Sequence, residues 1–560
     1  MRTKFLCLAV LLGSLLPFAP ASAQDPMLDL LRDELKYDME QLSKTENPPY
    51  YMNFRVIETS QNVVRATFGT LQESTFKEAR SFIPQIRLGS YDFDNFHGMV
   101  NGVPTSWFSG PSTVYIPMGN NEKALRQAMW SEVNNRYKFA IEQYERLKAA
   151  EKVYTKTDDK APDFSDAKVE KYFDQPFTQE ELAFDRQKFE EKLKKYSALF
   201  LKNPHIITGE ASMSYVCTRK YFVSSEGAEI AENNRSARIF ITGMMKTDDG
   251  MELPLNLSYF AFDPDDMPSD EKIIADVEHL IATLDKMRTA PIVEPYTGPA
   301  MLAGEASGVF FHEIFGHRTE AQRMKNDSDG QTFKKMIGQQ VLPKHFSAYD
   351  DPTLKNFEGQ DMNGYYVFDD QGVRGQRVEI VDNGTLKGFL TTRVPTDEFN
   401  QSNGHARASA AYDPASRQSN LLITTDKPKT MEQLRKILIK EAKAQKKEYA
   451  YYFVNVNGGY TQTGRTSPNA FNVTPLEVYR IYVDGRPDEL VRGVDLIGTP
   501  LSMFSSIIEG SDKTSVFTGI CGAESGWVPV TASSPDIVVK KVEMQRKSKS
   551  MQTPPALPRP

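Results

Sequence analysis

The chain has 560 residues, of which 40% are hydrophobic and 25% are charged, and its formal net charge is −7. This length allows two or three domains with their own cores, and the apolar fraction excludes a chain that is disordered throughout. The negative charge excludes a simple electrostatic attraction to nucleic acid or to an anionic membrane.

The first predicted element is an export signal. Arg2 and Lys4 precede an apolar run from Phe5 to Leu16, and the small residues Ala21-Ser22-Ala23 follow. The run is shorter than the roughly 20 residues that span a bilayer, so the pattern predicts a signal peptide over residues 1–23 that is removed. No later stretch is long and apolar enough to enter a membrane. We therefore expect an exported protein, in the periplasm first of all, with secretion or surface association as alternatives.

The next segments alternate between helical and strand patterns. Apolar residues recur at helical spacing over 121–156, and a charged helical pattern resumes over 179–200 after a loop rich in Asp, Lys and Pro. Residues 211–223 alternate like a half-buried strand. Ser269 is placed to cap a further helix. This half of the chain is expected to combine a sheet with long helices.

Short β-rich runs and turn dipeptides dominate after residue 340. Asn383-Gly384 and Asp484-Gly485 each stand between alternating apolar residues, which predicts two hairpins. Between them, Thr430 and Gln433 form the capping box of one helix. Antiparallel sheet is therefore expected to dominate this half.

The segment TAPIVEPYTGP, with three prolines, marks a domain boundary. The predicted fold class is α+β. An N-terminal α/β domain with a mixed sheet and long helices covers 24–290, with a charged helical insertion at about 121–200. A mainly antiparallel β domain that carries the metal site covers 291–543, and the proline-rich segment 544–560 is predicted to be a disordered tail.

A cluster of reactive side chains lies in the stretch FFHEIFGHRTEAQ. His312 and Glu313 are adjacent, and His317 follows five residues after His312. Two neutral imidazoles suit Zn²⁺, and an adjacent carboxylate can accept a proton from water. The stretch therefore predicts a zinc site with Glu313 as the general base, although two ordinary histidines would show the same letters.

The spacing of five requires a break in helical regularity. Pro299 is a favourable first residue for an apolar helix that leads to His312. On a regular helix, five residues rotate a side chain by about 140° beyond a full turn, so the two rings would point apart. Gly316 tolerates a π-bulge, a tightened turn or a left-handed step, and any of these could bring His317 back.

A catalytic zinc site usually has three protein ligands, so a third ligand is needed. The candidates are Glu320 in the same segment, His405 in SNGHARA and Cys521 in FTGICGAES. Cys217 is expected to be a small core residue on its strand. A disulfide between Cys217 and Cys521 is the competing interpretation, and it would describe an exported binding protein without metal.

Several ordered motifs carry a resemblance to a known family. These motifs are GEASGVFFHEIFGHRTEAQR, DDQGVRGQRVEIVDNGTLKGFLTTR, SNGHARAS, LVRGVDLIGTP and CGAESGWVPV, and they are densest between about Pro291 and Val538. Together they resemble the TldD/PmbA family of metallopeptidases. The resemblance implies an N-terminal α/β domain, a mainly antiparallel C-terminal domain and a dimer, formed with a second copy or with a paralogue.

The resemblance also implies the roles of individual residues. The family's zinc ligands correspond to His312, His317 and Cys521, and its catalytic glutamate corresponds to Glu313. Its substrates are unfolded or short peptides, bound in extended form within an enclosed cavity. Pairing with a strand explains weak sequence preference, because main-chain hydrogen bonds do not depend on the side chain.

The sequence departs from the family pattern in three places. It has an export signal, it has the charged insertion, and His405 replaces a common asparagine. His405 and the nearby Asn403 are the candidates for substrate contact, and the alternative for His405 is that it only lines the site. The predicted function is thus an exported zinc peptidase acting on extended peptides, and a non-catalytic partner subunit of such a protease is the alternative.

Overall fold

The computed structural model describes residues 25–97, 113–151, 160–325, 332–464 and 471–547. The predicted signal peptide and most of the predicted tail lie outside these ranges. Within them, no helix is long and apolar enough to cross a membrane.

The N-terminal half consists of a six-stranded sheet with helices on both faces. Its elements are α1 (Pro26–Leu42), β1 (Pro49–Thr67), β2 (Thr70–Leu88), α2 (Glu122–Glu151), β3 (Lys171–Phe173), α3 (Gln179–Leu182), α4 (Arg186–Ala198), β4 (Ile206–Ser224), β5 (Glu229–Lys246), β6 (Glu252–Ala261) and α5 (Asp270–Thr289).

The strand order of this sheet is β2-β1-β4-β5-β3, and β6 also pairs with β5. The β3–β5 pairing is parallel, whereas the long strands are antiparallel, so the sheet is mixed as predicted. α1 and α2 contribute to the core on one face, and α4 and α5 contribute to the core on the other. The predicted insertion therefore supplies helices to both layers. The strand predicted around Cys217 is β4, and its alternate side chains are buried in the core beneath α4 and α5.

The helical pattern predicted over 179–200 is confirmed, but the structure divides it into two helices, α3 and α4. Ala183 is extended, with φ −65° and ψ 137°. Asp185 then caps a new helix by accepting a hydrogen bond from the backbone N–H of Lys188 at 3.0 Å. Thr178 and Asp185 each accept hydrogen bonds from backbone N–H groups at the start of a helix. Two helix starts therefore form within the charged segment, although its pattern of charges is continuous.

The C-terminal half is built on an 11-stranded sheet. Its elements are β7 (Tyr296–Leu302), α6 (Gly304–Ile314), β8 (Phe346–Asp350), β9 (Asn356–Phe357), β10 (Gln360–Asp361), β11 (Val378–Asp382), β12 (Thr385–Leu386), β13 (Ala406–Arg407), β14 (Ala415–Ser416), β15 (Asn420–Thr425), α7 (Met431–Ala444), β16 (Tyr449–Thr461), β17 (Phe471–Tyr482), β18 (Glu489–Val491), β19 (Val494–Gly498), α8 (Pro500–Phe504), β20 (Ile507–Ala523) and β21 (Gly526–Arg546).

Part of this sheet closes on itself. The strands β21, β19, β17, β16 and β7 pair in that order, and β7 pairs again with β21. β20 pairs with β21 outside this ring. Most pairings are antiparallel, as predicted, and the exceptions among the described strands are β7–β16 and β15–β21. α6 packs against β21, β16, β20 and β17, so it lies in the core of this half.

The turn and cap predictions in this half are confirmed. Asn383 and Gly384 have φ values of 46° and 78° and connect β11 to β12. Thr430 and Gln433 form the capping box of α7. Beyond Asp484-Gly485, β18 turns back to pair with β17.

Two boundaries differ from the prediction. Pro299 does not start a helix, because residues 296–302 form β7 and the helix begins at Gly304. β7 pairs with strands on both sides, and Pro299 falls at a register shift where its missing N–H costs no ladder bond. At the other end, β21 continues to Arg546, past the predicted start of the tail at residue 544, because Met544 is buried and pairs with β7.

Candidate metal centre

α6 is held firmly because its N-terminus and its face both make close contacts. The backbone N–H of Gly304 donates to Asp536 Oδ1 at 2.6 Å, which satisfies one unpaired N–H group at the positive end of the helix. A Cβ at Gly308 would lie only 2.8 Å from the carbonyl oxygen of Ala532, so the helix approaches β21 more closely than any side chain allows. α6 thereby presents His312 and Glu313 from a fixed position.

The chain tightens directly after α6. The helix ends at Ile314, Phe315 has φ −121° and ψ −56°, and a 3₁₀ turn follows over residues 316–318. This is the tightened turn among the three irregularities considered from the sequence. It brings the rings of His312 and His317 to 4.8 Å between centroids, at an interplanar angle of 75°.

Gly316 is needed at this turn because another side chain occupies the space beside it. A Cβ on Gly316 would lie 1.8 Å from Oε1 of Gln418. The amide of Gln418 donates from Nε2 to the backbone oxygen of His312 at 3.3 Å. The glycine therefore acts through close approach and not through a left-handed conformation.

Cys521 completes the cluster. Its Sγ lies 3.3 Å from Nε2 of His317, and the ligand atoms of His312, His317 and Cys521 all lie within 4.8 Å of one another. β20 presents the thiol opposite Val528 of β21, and Arg417 donates to the Cys521 carbonyl at 2.7 Å. Of the three candidates for a third ligand, Cys521 is the one that joins both histidines.

The donor set fits a zinc ion. Zinc–sulfur and zinc–nitrogen bonds of about 2.3 and 2.0 Å at a tetrahedral angle place S and N about 3.5 Å apart, close to the observed sulfur–nitrogen separation. In addition, Nδ1 of His312 is buried and has no hydrogen-bond partner in the described part of the chain. A buried polar atom normally has a partner, so a bound cation accounts for this one.

Glu320 contacts the ring nitrogen of His317 that faces away from Cys521. Its Oε2 lies 3.2 Å from Nδ1 of His317, so a proton on Nδ1 leaves Nε2 free to face the sulfur of Cys521. Arg323 donates to the same oxygen at 2.8 Å. Burial would raise the pKa of Glu320, but His317 and Arg323 outweigh it and lower the pKa to about 2. Glu320 is thus a positioning residue, a role that its three-residue spacing from His317 could have suggested.

His317 and Cys521 shift each other's pKa across the 3.3 Å between Nε2 and Sγ. Burial alone would lower the pKa of His317, yet the Cys521 thiolate and Glu320 raise it to about 10. Burial would likewise raise the pKa of Cys521, but His317, His312 and Arg417 lower it well below its ordinary value. These neighbours therefore favour the thiolate, which is the form of cysteine that binds metal.

Glu313 lies next to the cluster and is 5% exposed. A Cβ on Gly459 of β16 would lie 2.7 Å from Cγ of Glu313, so the glycine makes room for this side chain. Burial raises the pKa of Glu313, although the nearby His312 and His317 act in the opposite direction. A carboxylate of raised pKa is suited to accept a proton and to return it.

The cluster opens into a cavity of about 640 Å³ that lies between the two halves of the molecule. The C-terminal half lines it with α6, β16 and the residues from Phe517 to Ala523 of β20, and the N-terminal half lines it with Arg238, Phe240, Asn256 and Ser258. Asn256 donates to Asn457 Oδ1 at 2.6 Å across the boundary. The metal cluster is therefore accessible to a ligand that contacts both halves.

His405 and Asn403 do not belong to the described lining of this cavity. His405 is fully buried, with Nδ1 2.9 Å from Asn403 Oδ1 and Nε2 3.2 Å from Asp350 Oδ1. Its backbone oxygen accepts a hydrogen bond from the backbone N–H of Arg417 at 3.0 Å. The structure gives these two residues a place in a buried network, and their predicted contact with substrate stays a prediction.

Cys217 and Cys521 are both free thiols. Cys217 is buried in the core of the N-terminal half, as its strand pattern predicts, whereas Cys521 belongs to the metal cluster. The structure therefore gives no support to a disulfide between them.

Comparison with known proteins agrees with this geometry. The family described as PmbA/TldA metallopeptidase C-terminal domain matches residues 295–546. A metalloprotease of Archaeoglobus fulgidus is 30% identical over 263 residues, covering 47% of this chain and 56% of the relative. A zinc metalloprotease TldD homologue of Saccharolobus solfataricus is 28% identical over 336 residues, covering 58% of this chain and 68% of the relative. The chain thus spans little more than half the length of the first of these relatives.

Solved structures resemble the whole fold at low sequence identity. TldE of Thermococcus kodakarensis has a TM-score of 0.62 and 12% identity, covering 93% of this chain and 100% of that chain. A Bacteroides thetaiotaomicron protein described as a modulator of DNA gyrase has a TM-score of 0.61 and 12% identity, covering 93% and 99%. Residues 295–546 thus match the PmbA/TldA metallopeptidase C-terminal family, and the fold of the described chain is similar to that of TldE.

Proposed function

We propose that this protein is an exported, zinc-dependent peptidase that hydrolyses unfolded or short peptides bound in extended form. The observation that carries the proposal is one cluster: three ligand atoms within 4.8 Å of one another, with Glu313 beside them in a cavity. The metalloprotease names of the relatives support the reaction class. The signal pattern at residues 1–23 supports export.

His312, His317 and Cys521 would hold the zinc ion, which leaves a fourth position free for reactants. A zinc ion held there would act as a Lewis acid on the scissile carbonyl and on water. Glu320 fixes the ring of His317 through its hydrogen bond to Nδ1. These three ligands and their support come entirely from the C-terminal half.

Glu313 is the proposed general base. Burial raises the affinity of its carboxylate for a proton, so the ionised carboxylate would take a proton from the attacking water and release it to the leaving amine. The carboxylate therefore ends the reaction in its starting state.

The walls of the cavity suit an extended chain. β20 pairs with β21 alone among the described strands, and the β16 wall contains consecutive glycines at 458 and 459. Side chains already donate to the backbone oxygens of Thr518, Gly519 and Cys521, so a bound peptide would pair with the remaining backbone groups of β20. The glycines of β16 permit its close approach. A dimer, with a second copy or a paralogue, is part of the proposal through the family resemblance alone.

The experiment combines metal analysis with digestion of an unfolded test protein. Glu313→Gln should retain one zinc per chain and lose hydrolysis by at least 100-fold, because only the proton acceptor is removed. Cys521→Ala should lose both zinc and activity, whereas Cys217→Ala, the matched change at the other buried thiol, should keep both. Undiminished turnover by Glu313→Gln would contradict the mechanism. A wild-type chain that holds no metal and cleaves nothing would instead indicate a non-catalytic partner subunit.

A further inference from the structure

One cationic side chain in the wall of the cavity, that of Arg238, has no anionic partner among the residues that the structure describes. Arg238 lies on β5, and its guanidinium reaches across to the C-terminal half. Nη1 donates to Ser258 Oγ at 2.6 Å, and to the backbone oxygen and Oγ1 of Thr518 at 3.2 Å each. Nη2 is buried and makes no hydrogen bond within the described chain. The side chain is thus held in place with one donor edge unused.

The positive charge of Arg238 is not neutralised by a carboxylate in the described part of the chain. No carboxylate of the described residues lies within ion-pair distance of it, and its aromatic contact is Phe260, 5.2 Å from the guanidinium carbon. Burial lowers the pKa of Arg238 to about 10, so the group still carries its charge at neutral pH. Arg323, the other arginine of the cavity wall, is paired with Glu320 and Glu524. A partly buried cation without a carboxylate partner among the described residues is stabilised by a ligand that supplies the counter-charge.

The spacing between Thr518 and Cys521 along β20 indicates how far Arg238 lies from the metal cluster. Thr518, which Arg238 contacts, lies three residues before Cys521 on β20. β20 pairs with β21 without a register break from Thr514 to Ala523. Three residues of strand span about 10 Å. An extended peptide beside β20 would therefore place a group two or three residues from its reacting bond near Arg238.

We propose that Arg238 binds a carboxylate of the peptide substrate, two or three residues away from the bond that is cleaved. The inference rests on the proposed peptidase function and narrows its substrate class to peptides with a negative charge at that place. Two sources offer the same chemistry: the C-terminal carboxylate of a short peptide, or an aspartate or glutamate side chain within a longer one. In the first case the enzyme would release di- or tripeptides from the C-terminus.

The test measures peptide binding separately from hydrolysis. Calorimetry with the Glu313→Gln protein uses three hexapeptides: one neutral and amidated, one neutral with a free C-terminus, and one amidated with a single glutamate. At least one carboxylate peptide should bind on the order of 10- to 100-fold more tightly than the neutral one, as expected for a charge-assisted hydrogen bond. The peptide that gains affinity identifies the source of the carboxylate.

Variants then assign the effect to Arg238. In the Glu313→Gln background, Arg238→Gln should abolish the preference and leave binding of the neutral peptide within about twofold, and Arg238→Lys should retain part of it. Arg235→Gln is the matched control, because Arg235 lies on the same strand but is paired with Asp263 at 2.9 Å; it should keep the preference.

Three results would overturn the inference: equal affinity for all three peptides, no binding of any, or an equal loss for all peptides in Arg238→Gln. Hydrolysis of the same peptides by the wild-type protein tests the proposed function independently. A protein that binds with the predicted preference but cleaves nothing would refute the peptidase and leave the carboxylate site standing. Mass spectrometry of the products should locate cleavage two or three residues from the carboxylate.

Discussion

The absence of a Cβ at Gly316 allows the rings of His312 and His317 to approach each other. The five-residue spacing of His312 and His317 predicts that the helix must be broken, and a glycine at that point predicts where. The physical reason could not be predicted, because the residue that needs the space, Gln418, comes from a distant part of the chain. Local sequence therefore indicates the irregularity, whereas its cause is a tertiary contact.

Gly316→Ala should weaken zinc binding by at least tenfold. The added Cβ would overlap Gln418 Oε1, so either the amide or the turn that carries His317 must move. Competition with a chromophoric chelator measures the affinity. The double variant Gly316→Ala with Gln418→Ala should recover part of it, since the second change vacates the space. Gly119→Ala, where an added Cβ meets nothing within 4 Å, should bind zinc like the wild type.

Asp38 provides a pH-dependent test far from the metal. It is a buried side chain of α1, and burial together with the nearby Glu34 raises its pKa from 3.8 to about 7. A carboxyl group whose pKa is raised by folding costs stability as the pH rises from about 4 to 7, because the unfolded chain releases the proton first.

Asp38→Asn removes this cost and should raise the melting temperature. The gain should be larger at pH 8 than at pH 5, by on the order of 2 °C. Thermal melts followed by circular dichroism at both pH values provide the measurement. Asp33→Asn, at a 57% exposed carboxylate on the same helix, is the control and should change little at either pH. An equal gain for Asp38→Asn at both pH values would refute the assignment.

At the scale of elements, α6 depends on a cap that comes from another strand. Its own N-cap residue, Ala303, has no side-chain hydrogen bond, and Asp536 of β21 accepts from the backbone N–H of Gly304 instead. The sequence around the helix start therefore contains no cap signal. The apolar residues before Gly304 therefore predict a continuous helix, although they pair on both sides as β7.

Asp536→Ala should destabilise the C-terminal half by about 1 to 2 kcal/mol, the typical cost of losing a helix cap. Because α6 carries His312 and Glu313, the variant should also bind zinc more weakly. Urea unfolding and zinc titration measure the two effects. Asp512→Ala, at the acidic residue after the neighbouring Ser511, is a control without a contact to α6. Unchanged zinc affinity together with full stability would show that α6 needs no cap from β21.

At the scale of the molecule, the metal cluster joins two separate parts of the C-terminal half. α6 supplies His312, the turn after it supplies His317, and β20 supplies the cysteine. The fold class and the strand-rich character of this half could be predicted from turns and alternation. The closed ring of strands and the cavity between the two halves could not, because both depend on pairings between residues far apart in sequence. Arg238 could not be identified from the sequence for the same reason, because its unused donor and its contact with Thr518 exist only in the folded chain.

Removal of zinc should lower the unfolding temperature of the whole protein. A ligand that binds only the folded state contributes about 2.7 kcal/mol when its free concentration is 100 times its Kd. Calorimetric scans before and after chelation, and after zinc is restored, should show a reversible shift. Cys521→Ala should unfold at the same temperature with and without zinc. A zinc-dependent shift of equal size in that variant would place the ion elsewhere.

The separation of the ligands along the chain also governs when the site can exist. His317 and Cys521 are 204 residues apart. At a synthesis rate of 5–20 residues per second, the cysteine follows the histidine by roughly 10 to 40 s. During that interval the growing polypeptide has the histidines and the glutamate but no thiolate to complete the cage. The three-ligand cluster can therefore form only after β20 and β21, the last strands of the sheet, have been synthesised and have paired.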